Sequence, residues 1–251
     1  MHSHYQLSLV QTPGRNGVRL RELDGHAGII AADGATPAVL EWLDLLLEEG
    51  PVRASELAIS DRDRVLAEIY IREFGDRISS TIDCRRCGRP FDLTFSLRGL
   101  MRHLGEPVSQ TDGLYRLEDG TRFRVPTGAD ELAISELPER EREQRLLELC
   151  VVHDEAGPGA AAAGELESAL ASVAPLLSTE LQAVCVECGE EQPLYFDIQT
   201  LLFLRLGKER RELVQDVHLL ASAYKWSRAE ILSLSREERR AYCAMISYER
   251  Q

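Results

Sequence analysis

Two short cysteine motifs constrain the fold of this chain more than any other feature. Residues 84–88 read Cys-Arg-Arg-Cys-Gly, and residues 185–189 read Cys-Val-Glu-Cys-Gly. Two residues between the cysteines let one tight turn present both sulfurs to an ion, and the following glycine accepts a left-handed backbone. A tetrahedral zinc ion takes four thiolates and each turn supplies two. The predicted ligands of one Zn²⁺ are Cys84, Cys87, Cys185 and Cys188.

The residues around both motifs have the pattern of strands. Residues 91–97 alternate apolar and polar side chains, which is typical of a half-buried strand. A redox-active cysteine pair usually opens a helix beside a βαβ unit, and neither motif does so. Four thiolates leave no open position for water, so we expect a structural site that joins two distant segments. Chance clustering of four buried thiols is the remaining alternative.

Composition and charge narrow the class of protein. The 251 residues suffice to bury a core without disulfides, and the net charge of −13 disfavours non-specific binding to nucleic acid or a membrane surface. No apolar run reaches the length of a membrane span, and the N-terminus lacks a secretory signal pattern. A cytoplasmic location is therefore predicted, where thiols stay reduced. Cys150 and Cys243, which stand alone in helical patterns, are expected to be buried apolar residues.

The pattern of segments predicts an α+β fold that is mostly helical. Its small antiparallel sheet would be zinc-ribbon-like, formed by the two Cys-x-x-Cys-Gly knuckles, with one extra hairpin. We divide the chain into an N-terminal helical region at 1–76, a zinc-ribbon core at 77–200 and a C-terminal helical region at 201–251. The core carries a long insertion, 99–178, with the hairpin and a helical segment. Within the first region, residues 1–35 are predicted to be loop-like.

The extra hairpin has a predicted register. A two-residue loop would place an apolar residue opposite a charged one, whereas a three-residue loop pairs Tyr115 with Phe123 and Arg116 with Arg122. We prefer the second register, with Gly120 in the left-handed position. Residues 154–165, rich in alanine and glycine, have the composition of a linker.

Helix starts are marked by capping residues. Three capping boxes are predicted, Thr127 with Asp130, Ser227 with Glu230, and Ser235 with Glu238. Trp226 and Ile231 are spaced for a hydrophobic staple around the second of them. Thr36 is a predicted N-cap followed by proline, and its helix is expected to stop at Gly50. Ser60 is a further predicted N-cap. Asp61 and Asp63 would then lie in the first turn of that helix, where the positive end of the helix dipole favours carboxylates.

Motifs of enzymes are missing from the sequence. It contains no GxSxG, HExxH or GxGxxG pattern, so we do not expect an enzyme. The alternative to a protein-binding role is a zinc-ribbon regulator that binds nucleic acid, with Arg236, Arg239 and Arg240 on the reading helix. These arginines alternate with glutamates, which favours a solvated, salt-bridged helix instead.

The order of motifs resembles that of T-even phage-type baseplate hub assembly proteins, which also occur in contractile injection systems. The resemblance spans about residues 36–248 and rests on the runs at 61–78, 84–97, 123–133 and 217–246 together with the second cysteine motif. Its most specific part is the C-terminal signature. The matching positions are Val217, His218, Leu220, Ala221, Tyr224, Trp226, Ser227, Glu230, Ile231, Leu234, Arg239, Arg240 and Tyr242. Lys225 stands where glycine is usual, and we expect that departure to cost little.

The resemblance implies a hub component or an assembly chaperone. Its partners would be other baseplate, hub, spike or tape-measure proteins, in the bacterial cytoplasm during assembly, with incorporation into the tail particle left open. The residues that the resemblance makes candidates for partner binding are His218, Tyr224, Trp226, Glu230, Arg239, Arg240 and Tyr242. We nevertheless expect His218 to be a buried, hydrogen-bonded residue rather than a partner contact. We likewise expect Trp226 to form the hydrophobic staple rather than an interface contact.

Overall fold

The structure, a computed structural model, describes residues 4–25, 27, 34–48, 52–152 and 163–249. These residues form an α+β fold with small antiparallel sheets, and the α+β class is as predicted. The single sheet expected from the two cysteine motifs is instead two separate two-stranded sheets, because each hairpin pairs only with itself. The helices are α1 (Thr36–Leu46), α2 (Ile59–Phe74), α3 (Leu97–Leu104), α4 (Gly128–Ile134), α5 (Glu139–Cys150), α6 (Ala163–Val173), α7 (Ile198–Tyr224), α8 (Arg228–Ser233) and α9 (Arg236–Glu249), with a short 3₁₀ turn at Ala54–Glu56. The strands are β1 (His4–Ser8), β2 (Gly17–Arg21), β3 (Arg77–Asp83), β4 (Pro90–Ser96), β5 (Tyr115–Arg116), β6 (Arg122–Phe123), β7 (Val151–Val152), β8 (Ser178–Val184) and β9 (Glu191–Asp197).

The chain divides into two compact units. The first unit comprises the described residues of Met1–Ser8, Gly17–Ala54 and Gln199–Gln251, and the second those of Leu9–Asn16 and Ser55–Ile198. These units are discontinuous in sequence, whereas the predicted regions 1–76, 77–200 and 201–251 follow chain order. The division into three regions stays a prediction.

Hairpin β1–β2 corrects the prediction of loop structure for residues 1–35. His4–Ser8 pairs antiparallel with Gly17–Arg21, and Val18 and Leu20 are buried. Tyr5 and Leu7 alternate with polar residues in β1, as Val18 and Leu20 do in β2, so the sequence carries a short strand pattern that the prediction of loop structure overlooked.

Helix α1 carries much of the buried apolar surface of the first unit. It buries Trp42 and Leu43, and the Trp42 indole N–H donates to the carbonyl of Ala27. Its ring also packs edge-to-face on Phe203, with centroids 5.1 Å apart. The predicted N-cap is one residue off, because Ala35 occupies that position and Thr36 is the first helical residue. Gly50, the predicted stop, lies outside the described residues.

Helix α2 is central to the second unit, and its first turn is buried rather than solvated. Its N-cap is Ala58, so the prediction that Ser60 caps it is wrong. The Asp61 carboxylate accepts hydrogen bonds from the backbone N–H groups of residues 10–12 and from the Thr12 hydroxyl, at 2.7–2.9 Å. The helix dipole alone therefore does not explain this aspartate, because it anchors a loop about 50 residues away.

Asp63 has an equivalent role for a later segment. Its carboxylate accepts a hydrogen bond from the N–H of Leu177 at 2.9 Å and lies beside Arg62, which also pairs with Glu131. Asp63 and Arg62 are both buried. A buried ion pair with hydrogen bonds on both partners fixes the position of the chain that leads into β8.

The inserted hairpin has the predicted register. Tyr115 pairs with Phe123 and Arg116 with Arg122, and Gly120 has a φ of +92° in the three-residue loop. Strand β7 adds to its edge and makes a three-stranded sheet. The Thr127–Asp130 capping box is confirmed at the start of α4. Of the predicted linker at 154–165, residues 154–162 lie outside the described residues.

Candidate metal centre

Two hairpins of the second unit carry the four cysteines. Strands β3 and β4 pair antiparallel along seven residues each, and β8 and β9 do the same. In each hairpin the first cysteine directly follows the first strand, and the tight turn ends at a glycine with positive φ, +68° at Gly88 and +73° at Gly189. Only glycine adopts this conformation without steric cost, which explains the residue after each Cys-x-x-Cys pair.

The two hairpins repeat one structure with a constant offset of 101 residues. Strand β3 begins at Arg77 and β8 at Ser178, and the helix after each hairpin begins at Leu97 and Ile198. The backbone bonds of the turns also correspond. Cys84 N–H donates to Arg89 O at 3.0 Å, and Cys185 N–H donates to Glu190 O at 2.8 Å. The repeat therefore includes strands, turn and helix start, and extends beyond the cysteine motif.

The repeat brings all four sulfurs together. The Sγ atoms lie within 4.8 Å of one another. Cys84 lies 3.6 Å from Cys188, and Cys87 lies 3.9 Å from Cys185. Exchange of the two hairpins converts one of these contacts into the other, so the site has approximate two-fold symmetry. Since metal–sulfur bonds of about 2.3 Å in a tetrahedron separate the sulfurs by about 3.8 Å, the spacing suits one tetrahedral ion.

The pKa values of Cys84 and Cys188 are shifted in opposite directions. Hydrogen bonds from the backbone N–H groups of Cys87 and, to a smaller extent, Arg86 lower the pKa of the Cys84 thiol to about 7. The N–H of Glu190 also lowers the pKa of Cys188, but desolvation and the three neighbouring thiols raise it to about 12. These shifts favour a thiolate at Cys84 over one at Cys188, and the neighbouring sulfurs disfavour a thiolate at Cys188 until a cation offsets the repulsion.

An apolar layer and a glutamine lie beneath the sulfurs. Cys84 and Cys185 are buried against Phe91 and Ala183. The buried side chain of Gln192 crosses between the hairpins, where it accepts from the N–H of Arg85 at 2.8 Å and donates to the carbonyl of Asp83 at 3.2 Å. In the repeat, the counterpart of Gln192 is Phe91.

Charge pairs join the turns at the surface. Arg86 pairs with Glu190 at 3.3 Å and Arg89 with Glu187 at 2.7 Å. These two pairs are also related by the two-fold exchange. Each is largely exposed, so each contributes little to stability, but both orient the basic first knuckle towards the acidic second one.

Sequence reasoning identified the cysteines but not the glutamine or the charge pairs. The signal for the charge pairs was present, because the first motif contains arginines and the second contains glutamates. Gln192 had no such signal, since its role depends on a backbone more than 100 residues away.

The remaining cysteines lie outside this cluster. Cys150 is fully buried, as predicted, and its burial raises the pKa of the thiol to about 12. Cys243 is only half-buried, and its thiol donates to the carboxylate of Asp216 at 3.4 Å.

The C-terminal signature lies in the first unit, apart from the cysteines in sequence. Helices α7 and α9 run side by side in the same direction, since Arg236, Arg240 and Cys243 contact Glu209, Glu212 and Asp216 in turn. The rings of Tyr224, Trp226 and Tyr242 form one cluster with centroids 4.8–5.8 Å apart. Both capping boxes are confirmed, and Trp226 packs in the cluster that buries Ile231, as a staple requires.

The seven partner-binding candidates differ in exposure. His218 and Arg240 are exposed, so the expectation of a buried His218 is wrong. Arg239 is buried and donates to the carbonyl of Leu234, and the carboxylate of Glu230 accepts from the N–H of Ser227. The three aromatic residues Tyr224, Trp226 and Tyr242 are half-buried. The interaction of these seven residues with a partner stays a prediction.

Lys225 ends helix α7 in a conformation that favours glycine. Its φ is +60°, and its N–H donates to Ala221 O at 3.1 Å. An L-residue other than glycine pays about 1–2 kcal/mol for this conformation. This conformation argues against the expectation that lysine replaces glycine here at little cost, and the size of the cost stays a prediction.

Among the residues that the structure describes, no helix is long and apolar enough to cross a bilayer. No protein-family model, curated protein or solved structure matches the chain.

Proposed function

We propose that Cys84, Cys87, Cys185 and Cys188 bind one structural Zn²⁺ per chain and that the two hairpins around it form a zinc ribbon. The observation that carries this proposal is the convergence of four sulfurs from two distant turns. Four sulfurs in a tetrahedron suit zinc or iron, and zinc is the usual ion of paired Cys-x-x-Cys knuckles. With four protein ligands the ion has no position for substrate, so its role is to hold the hairpins together.

The metal proposal has a direct test. Protein purified under reducing conditions should contain about one zinc per chain by elemental analysis, and negligible iron. Cys84→Ser and Cys185→Ser should each lose the metal. Zinc retained at the same level in both variants would show that these cysteines are not the ligands.

We further propose that the chain is a non-enzymatic assembly factor or structural component of the baseplate hub of a contractile tail or injection system. Support comes from the order of motifs and from the thirteen signature positions at 217–242. Within this segment, His218 and Arg240 are exposed, and an aromatic group at Tyr224, Trp226 and Tyr242 is half-exposed. Aromatic and arginine side chains are the commonest anchors of protein interfaces.

The nucleic-acid alternative receives less support. Arg236 pairs with Glu209, Arg240 with Glu212, and Arg239 is buried. Arginines neutralised within their own helix pair add little attraction for phosphate. Titration with DNA and RNA at low salt tests this alternative, because electrostatic affinity is greatest there.

Co-expression tests the assembly role. The tagged chain should recover a hub, spike or tape-measure protein of a contractile tail system from the same genome. His218→Ala and Trp226→Ala should weaken recovery, whereas Ser79→Ala, on the exposed face of β3, serves as the matched control. Recovery of the chain alone in every combination would contradict the proposal.

A further inference from the structure

The repeat provides an internal comparison of two outer hairpin faces. In both hairpins, alternate residues face inward and, apart from the exposed Ser80, are buried or half-buried, and the intervening residues face outward. On the first hairpin the outward face is polar and bonded to itself. Ser79 and Thr94 hydroxyls lie 3.1 Å apart, and the Thr81 hydroxyl donates to Asp92 at 2.7 Å.

The outward face of the second hairpin is apolar at three of the matching positions, whereas Glu180 and Gln182 stand where the first hairpin has Ser79 and Thr81. Pro193 and Tyr195 stand where the first hairpin has Asp92 and Thr94, and Val184 stands in place of Asp83. Tyr195 is 70% exposed and Val184 53% exposed. Val186 in the turn, in place of Arg85, is 79% exposed. We call Val184, Val186, Pro193 and Tyr195 the apolar ridge.

The ridge is extended and has the length of a short peptide. Tyr195 pairs across the sheet with Glu180, and Val184 pairs with Glu191. The distance along the hairpin from the cross-strand pair of Glu191 to that of Tyr195 is about 14 Å, at roughly 3.4 Å per residue. A partner segment of four to five extended residues covers this distance.

Acidic residues surround the ridge. The hairpin at 178–197 contains Glu180, Glu187, Glu190, Glu191 and Asp197 and no lysine or arginine. The arginines of the first knuckle pair with two of them, Glu187 and Glu190. Glu180 and Glu191 are the cross-strand neighbours of ridge residues, so carboxylates lie beside the apolar side chains.

From these observations we propose that the apolar ridge binds an extended segment of another protein that carries apolar side chains flanked by lysine or arginine. Apolar contact would bury Tyr195 and the valines, and basic side chains would pair with Glu180 and Glu191. A second copy of this chain does not fit, because a two-fold contact between ridges would bring carboxylates against carboxylates. An anionic membrane surface is repelled for the same reason.

The apolar ridge is distinct from the C-terminal residues that the proposed assembly role uses. The proposal rests on that role only for the expectation that the partner is a protein. Its test needs no tail component. A negative co-expression experiment would therefore not contradict binding at the apolar ridge. A negative peptide-binding experiment would likewise not contradict the assembly role.

The probe is a labelled ten-residue peptide of alternating valine and lysine, compared with two peptides of equal length. One control peptide alternates serine and lysine, and the other alternates valine and glutamate. Binding to the metal-loaded full chain is measured by fluorescence anisotropy, and its location by hydrogen exchange. The exchange of residues 77–96 serves as the internal control for residues 178–197.

We expect the valine–lysine peptide to bind at least tenfold more tightly than either control and to slow exchange in 178–197 but not in 77–96. Tyr195→Thr, which installs the residue of the first hairpin, should weaken binding at least tenfold. Thr94→Ala, at the matching position of the first hairpin, should leave binding unchanged, and both variants should retain the metal.

Four outcomes would overturn the inference. Equal binding of the serine–lysine peptide would show charge attraction alone. Unchanged affinity in Tyr195→Thr, or protection of both hairpins, would place the contact elsewhere. Sedimentation equilibrium showing a dimer that Tyr195→Thr dissociates would identify a second copy as the occupant.

Discussion

The sulfurs of Cys84 and Cys188 lie 3.6 Å apart although 104 residues separate them in the chain. Each hairpin contributes half of the site, so an ion bound there crosslinks two segments and closes a long loop. Crosslinks of this kind stabilise a protein mainly by restricting the unfolded chain and, for a metal, by its binding free energy.

Metal removal is therefore expected to destabilise the second unit. Treatment with a strong chelator should lower the thermal midpoint, and Cys188→Ser should do the same without chelator, with loss of bound zinc. Cys243→Ser is the matched control, because this cysteine lies outside the cluster and should retain about one zinc per chain. Identical thermal midpoints with and without chelator would contradict the structural role of the metal.

Gln192 should contribute to the site independently of the metal. Gln192→Leu removes the hydrogen bonds to Arg85 N and Asp83 O and leaves partly buried backbone groups without them. We expect a loss of about 1–3 kcal/mol in the free energy of unfolding, measured by urea denaturation. Gln182→Leu, an exposed position of the same hairpin, should change it by less than about 0.5 kcal/mol. An equal loss of unfolding free energy in both variants would contradict the role assigned to Gln192.

Lys225 is a position where substitution should stabilise the fold. Lys225→Gly relieves the positive φ, whereas Lys225→Ala retains a Cβ and loses only the bond from Nζ to Ser222 O. The glycine variant should be more stable than the alanine variant by about 1 kcal/mol, because the left-handed conformation costs alanine this much. Thermal and urea unfolding of the three proteins measure the difference. A glycine variant less stable than alanine would mean that the left-handed conformation is not the native one.

Asp63 should make stability depend on pH. Its burial raises the carboxyl pKa from 3.8 to about 6, against the lowering effects of Arg62 and the Leu177 N–H. Between these two values the native state holds a proton that the unfolded state has released, so this group's contribution to stability falls as the pH rises from about 4 to about 6.

Asp63→Asn removes this titration and keeps an oxygen acceptor for Leu177 N–H. Relative to the parent protein, the variant should gain stability progressively from pH 4 to pH 6, by up to about 1.36 kcal/mol per pH unit, and the gain should level off above pH 6. Urea denaturation at pH 4, 5, 6 and 7 measures it, with the exposed Asp92→Asn as the control. A difference that is constant with pH would contradict the raised pKa.

Local features of the fold were predictable from sequence. The register of Tyr115 with Phe123 and the capping box at Thr127 depend on neighbours within ten residues, and both are confirmed. The cluster of four cysteines was also predictable, although it is not local, because the coordination number of an ion requires the two motifs to meet.

Features that depend on contacts between distant polar groups were not predictable. Asp61 and Asp63 read as residues of a solvated helix start, and their partners near Thr12 and Leu177 carry no matching signal. Hairpin β1–β2 is a different case, because its short strands do alternate apolar and polar residues and this pattern was overlooked. Burial of a carboxylate depends on which backbone N–H groups the fold delivers to it, and a single sequence does not record that.

The long offset between the two cysteine turns also has a consequence during synthesis. Cys185 leaves the ribosome 98 residues after Cys87. At about 5–20 residues per second, the first turn is exposed for roughly 5–20 s before its counterpart exists. During that interval its two thiols can be held by cellular zinc only in an incomplete site, or react with other thiols. Translation rate and the supply of reducing agents are thus expected to influence the yield of correctly paired hairpins.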